Sequence, residues 1–118
     1  MLCPMTAAVL DRTRHEATAV WHLEHGRYLA VQDGDDVVVL PVGPLTRIGR
    51  ALGADIVLDD ASVSPRHAIL LGRGDTVVIA DERSRNGVLV NGHRVQQASL
   101  RHGDQIRLGA RTMRFLEV

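Results

Sequence analysis

Aromatic side chains are scarce in this chain of 118 residues: Trp21, Tyr28 and Phe115 are the whole set. The core must then be assembled from Val, Leu, Ile and Ala, and a stacking platform for single-stranded nucleic acid is disfavoured. Lysine is missing altogether. All 14 basic residues are arginine, so any anion site here must use guanidinium groups, which grip phosphate or carboxylate in a two-pronged geometry. Excess charge of either sign is also lacking, because 14 acidic residues balance them. That removes the electrostatic argument for a nucleic-acid or membrane partner, although local charge can still be strong. A single cysteine, Cys3, excludes an internal disulfide and suits a reducing compartment. No apolar run approaches the roughly 20 residues of a membrane span. The opening "MLCPMTAAVL" has neither the basic flank nor the apolar stretch of a signal peptide, so the expected location is the cytoplasm.

What is present is 45% hydrophobic residues in 12.9 kDa, enough for one compact domain and too little for two. From Arg27 onward, short β-branched runs alternate with turn residues. "RYLAVQ" and "DVVVLPV" flank "DGD"; "AILL" and "TVVIAD" flank "GRGD"; "VLV" and "RVQ" flank Asn91-Gly92; "QIRL" and "TMRFLEV" flank "GAR". Each pair predicts a hairpin, because Asp-Gly and Asn-Gly reach the positive φ values of tight hairpin turns. "LTRIGR" and "DIVL" predict further strands. Strands at this spacing without helices between them predict an all-β fold, a sandwich of two antiparallel sheets over residues 23–118. Residues 1–22 differ. Val9, Thr13, Ala17 and Val20 or Trp21 make a thin helical stripe, and the expectation there is an N-terminal arm, helical or disordered.

In a sandwich the loops at one end carry the function. Three loops hold polar residues that no strand pattern requires: Gly49 and Arg50; Ser64, Arg66 and His67; and "SRNGVLVNG" from Ser84 to Gly92. They supply hydroxyl, amide and guanidinium donors, with glycines that let a ligand approach the backbone. That inventory suits an oxyanion.

At these residues the sequence resembles the forkhead-associated (FHA) domain, a β-sandwich of the FHA/SMAD type that recognises phosphothreonine in partner proteins. The resemblance runs from about Tyr28 to Phe115, through "RIGRALGADIVLDDASVSPRHAILL", "IADERSRNGVLVNG" and "LRHGDQIRLG". It implies that Arg50 and Ser64 contact the phosphate and that Asn86 hydrogen-bonds the peptide backbone beside it. Arg85 falls where a side chain approaches phosphate or peptide. Gly49, His67, Gly87, Asn91 and Gly92 are expected to shape the loops. Two positions depart from the family pattern. Pro65 stands where Arg or Asn often follows the binding serine and removes a donor, for which Arg66 compensates if its guanidinium turns inward. Val88 stands where threonine is common.

Plainer readings exist for several of these residues. Ser64 can brace its own turn, His67 is more naturally a structural hydrogen-bonder than a catalyst, and Asn91-Gly92 is an ordinary hairpin turn. Asp59 and Asp60 suit a solvated loop better than an acid/base pair. His15, His22 and His25 have only loosely metal-like spacing, and Arg73-Gly74-Asp75 is explained by a hairpin tip. The resulting expectation is a non-enzymatic adaptor without cofactor, whose partner is a phosphothreonine-containing protein from Ser/Thr kinase signalling. The alternative is phosphate-independent interaction on the same fold. A small hydrolase using Ser64 and His67 lacks a third member. Thr6, Thr13 or Thr18 of the arm, once phosphorylated, is a candidate self-ligand.

Overall fold

The computed structural model describes residues 25–118 together with the backbone of Ala8–Val9. Twelve strands are found among these residues: β1 (Ala8–Val9), β2 (Arg27–Asp33), β3 (Asp36–Pro41), β4 (Leu45–Gly49), β5 (Ile56–Val57), β6 (Ala68–Arg73), β7 (Thr76–Asp81), β8 (Val88–Val90), β9 (His93–Val95), β10 (Gln97–Leu100), β11 (Gln105–Leu108) and β12 (Arg111–Glu117). One sheet has the order β1-β5-β4-β6-β7-β10 and the other β3-β2-β12-β11-β8-β9. The all-β sandwich read from the sequence is what the chain forms.

Alternation of burial along the strands shows why. β11 runs exposed, buried, exposed, buried, with Ile106 and Leu108 inward, and β7 turns in Val77 and Ile79. Phe115, Leu29 and Met113 from the second sheet meet Ile48, Leu70 and Ile79 of the first in one continuous core. Phe115 is wholly buried, and truncating such a ring to alanine costs about 3–5 kcal/mol. Thr46 is one of two buried polar residues among those described, and its hydroxyl accepts the N–H of Gly43 at 3.0 Å.

All four expected hairpins form. The turn at Asn91-Gly92 has φ values of 52° and 86°, the left-handed pair that tight hairpins require. Asn91 also ties this turn to β11, donating to Asp104 at 3.0 Å and accepting from the N–H of Gln105 at 3.0 Å. Two features differ from the sequence reading. The first sheet is mixed rather than purely antiparallel, since β5 pairs in parallel with both β4 and β1. β10 was not foreseen, because "QASL" has no β-branched residue to mark it; it is held by pairing with β7. Within the arm, Ala8–Val9 pairs with Ile56–Val57, and the rest of the arm, including Thr6, Thr13 and Thr18, lies outside the described residues. No described helix is long and apolar enough to cross a membrane.

Candidate functional site

Three connections converge at one end of the sandwich: β4–β5, β5–β6 and β7–β8. Backbone bonds weld the first two together. Arg50 N–H donates to Ser64 O at 3.0 Å, Ala51 N–H to Pro65 O at 3.1 Å, and Leu58 N–H to Gly49 O at 2.9 Å. Gly49 permits this closeness, because any Cβ there would overlap the carbonyl of Pro65. Pro65 thus contributes an acceptor to the loop junction while lacking a donor of its own.

His67 joins the second loop to the third from inside. Its side chain is fully buried. Nδ1 accepts the Ser64 N–H at 3.0 Å, which assigns the ring proton to Nε2, and Nε2 donates to Gly87 O at 2.8 Å. Within the third loop, Ser84 N–H donates to Asp81 Oδ1 and Gly87 N–H to the Ser84 hydroxyl, each at 2.8 Å. Gly87 has a φ of 81°, and the Arg94 guanidinium lies against it. Gly49, His67 and Gly87, the residues expected to shape the loops, make these contacts within and between them.

Ser62 is a junction that the sequence reading missed. Its hydroxyl donates to Asp60 Oδ1 at 2.6 Å and accepts the Ala110 N–H at 2.8 Å, and its carbonyl accepts Asn86 Nδ2 at 2.8 Å. The spacing Asp60-x-Ser62 is an Asx-turn signal, since the Ser62 N–H also donates to Asp60 Oδ1 at 2.8 Å. The Ser62 hydroxyl and then its N–H hold the Asp60 carboxyl below the usual 3.8, against a smaller upward push from desolvation, with Arg111 adding a pull downward. Asp60 therefore braces the loop, and the paired-carboxylate reading of Asp59 and Asp60 finds no support here.

These ties shape a depression of about 530 Å³ lined by Arg50, Ser62, Ser64, Arg66, Arg83 and Arg85, with the small residues Ala61, Val63 and Pro65 between them. Four arginines are among its lining residues and no acidic residue is. Arg50 uses Nε to donate to Val63 O at 2.9 Å and forms no ion pair with a described carboxylate. Its terminal nitrogens keep their donors for a ligand. The Ser64 oxygen accepts the Arg85 N–H at 2.9 Å, leaving its own O–H to donate; bracing the turn and binding an anion are compatible. Arg66 lines this depression and an adjoining one. Asn86 commits its amide N–H to Ser62, and its Oδ1 takes no donor among the described residues. Arg83, which the sequence does not single out, also lines the depression and has a φ of 60°. Among the described residues no group of three His, Cys, Asp or Glu could hold a metal ion; His15 and His22 lie outside them.

Fold and loop cluster together define a β-sandwich whose end loops present a cationic pocket. The chain belongs to the FHA domain family, whose model matches residues 46–109. It is 50% identical over 64 residues to the transcriptional regulatory protein EmbR of Mycobacterium tuberculosis, covering 53% of this chain and 16% of EmbR. It is 40% identical over 73 residues to the glycogen accumulation regulator GarA of Mycolicibacterium smegmatis, covering 62% of this chain and 46% of GarA. The chain thus spans less than half the length of these relatives. A structure from a study of phosphothreonine-dependent FHA domain interactions superposes with a TM-score of 0.70 at 34% identity, over 78% of this chain and 96% of that one. M. tuberculosis EmbR in complex with a low-affinity phosphopeptide superposes with a TM-score of 0.72 at 35% identity, over 87% of this chain and 27% of EmbR.

Proposed function

We propose that this domain is a non-enzymatic module that binds a phosphothreonine-containing segment of a partner protein and acts as an adaptor in Ser/Thr kinase signalling. The carrying observation is the pocket lined by four arginines and no carboxylate, in which Arg50 is fixed by one bond yet keeps its terminal donors. In this reading Arg50 pairs with the phosphate through charge-assisted hydrogen bonds, each contributing about 1.5–3 kcal/mol. The Ser64 hydroxyl donates to a phosphate oxygen, and Arg66 and Arg85 add guanidinium donors at the rim. Asn86 accepts a backbone N–H of the partner through Oδ1 and so sets the strand's register.

Hydrolysis is disfavoured by the same geometry. His67 contacts the backbone N–H of Ser64, not its hydroxyl, and both ring nitrogens are already engaged. No base therefore stands ready to activate that serine. A cytoplasmic location fits the single cysteine and the kinase-dependent ligand. Self-binding through a phosphorylated arm threonine is favoured by one observation, the pairing of Ala8–Val9 with β5, the strand between two of the site's loops.

The test is a degenerate peptide library with fixed phosphothreonine, screened against the parent and Arg50→Ala, alongside partner capture from lysate with and without phosphatase. Phosphate-dependent capture that Arg50→Ala abolishes is the expected result. Capture that survives phosphatase overturns the proposal in favour of phosphate-independent binding.

A further inference from the structure

Arg83 occupies a backbone conformation that glycine would fill more comfortably. Its φ is 60°, a left-handed value that strains a residue with a Cβ, and strain of this kind gathers where a side chain has work to do. The consequence is chemical. Arg83 and Arg85, two residues apart, both line the same pocket as Arg50 and Arg66.

The charge in that pocket exceeds what one phosphothreonine satisfies. A phosphorylated side chain carries about −1.5 to −2, against four arginines and no acidic residue in the lining. The nearest acids do not close the gap. Asp60 is occupied by Ser62, with Arg111 acting on it from outside the pocket. Glu82 lines an adjoining depression, shared with Arg47 and Arg66. None of the four pocket arginines forms an ion pair with a described carboxylate.

Building on the phosphothreonine reading above, we infer that the site takes a segment carrying two phosphorylated side chains, the second of them held by Arg83 with help from Arg66 or Arg85. Size agrees with charge. A volume of about 530 Å³ is that of a cube roughly 8 Å on a side, and extended chain advances about 3.3–3.6 Å per residue. The second phosphate therefore sits one or two residues from the first. A dianion fits the remaining charge better than one carboxylate does, since two phosphates neutralise four guanidinium groups and a phosphate with a carboxylate leaves one over.

Calorimetric titration tests this with one peptide sequence in several forms: unphosphorylated, phosphorylated at the first threonine only, doubly phosphorylated with the second site one or two residues away, and with glutamate at each second position. The expected result is a doubly phosphorylated peptide that binds at least tenfold tighter than the single, with glutamate recovering less than threefold. Arg83→Gly, which suits the local φ, should cut the double-to-single ratio below threefold. Arg73→Ala, at the far end of β6, should leave that ratio unchanged and so controls for general charge attraction. A double-to-single ratio below threefold in the parent overturns the inference while leaving the single-phosphate reading intact. So does a ratio that survives Arg83→Gly, or glutamate matching the second phosphate. If no phosphopeptide binds, both readings fall together.

Discussion

The hydroxyl oxygen of Ser64 accepts the backbone N–H of Arg85 at 2.9 Å, across 21 residues of sequence. This bond fastens the β5–β6 loop to the β7–β8 loop at the floor of the pocket, so a residue expected to touch a ligand also holds the pocket's shape. Ser64→Ala should therefore show two effects: a stability loss of about 1 kcal/mol and phosphopeptide affinity weakened roughly tenfold or more, since a charge-assisted bond is also lost. Urea melts and peptide titration measure the two separately. Unchanged affinity would assign Ser64 to loop bracing alone.

Gly49 is a glycine whose replacement the neighbouring loop forbids. Gly49→Ala forces a Cβ into the Pro65 carbonyl, and such overpacking costs about 1–3 kcal/mol while displacing Arg50. Gly53, in the same connection, has nothing within 4 Å of its Cβ direction, so Gly53→Ala should be tolerated. Thermal melts of both variants check the contrast.

His67 satisfies two backbone groups from a fully buried position. His67→Leu keeps the apolar bulk and strands the Ser64 N–H and the Gly87 carbonyl, each costing about 1–3 kcal/mol. The variant should unfold at distinctly lower urea and lose peptide binding with it. Full retention of both would contradict the role assigned to the ring.

Much of this arrangement was legible in the sequence, and the reasons differ by element. Hairpins were readable because Asn91-Gly92 and its counterparts announce their φ values, and the inward positions follow from strict alternation in β7 and β11. The three polar loops that hold Arg50, Ser64, Arg66, His67, Arg85 and Asn86 could be read because they interrupt strand chemistry, and the roles expected of Arg50, Ser64, His67, Arg85 and Asn86 came from the FHA resemblance. Ser62 and Arg83 escaped. The contacts of Ser62 reach Asn86 and Ala110 through tertiary structure, and Arg83 takes a positive φ that an arginine does not advertise. β10 escaped because "QASL" is strand only by virtue of its neighbour β7.

Asp60 gives the fold a measurable acid sensitivity. Folding lowers its value, so its ionised form contributes stability that is fully present above the unfolded value near 3.8 and is lost as pH falls through the lower folded one. Asp60→Asn should remove that part of the slope in urea midpoints measured between about pH 5 and about pH 2.5. An identical slope in the variant would place the sensitivity elsewhere.

Arg50 bears the central claim, and titration of a phosphothreonine peptide against the parent and Arg50→Ala, with both proteins shown to be folded, tests it most directly. Loss of at least one charge-assisted bond should weaken binding tenfold or more, while the unphosphorylated peptide binds neither protein. Equal affinity of the two proteins for the phosphorylated peptide would contradict the account.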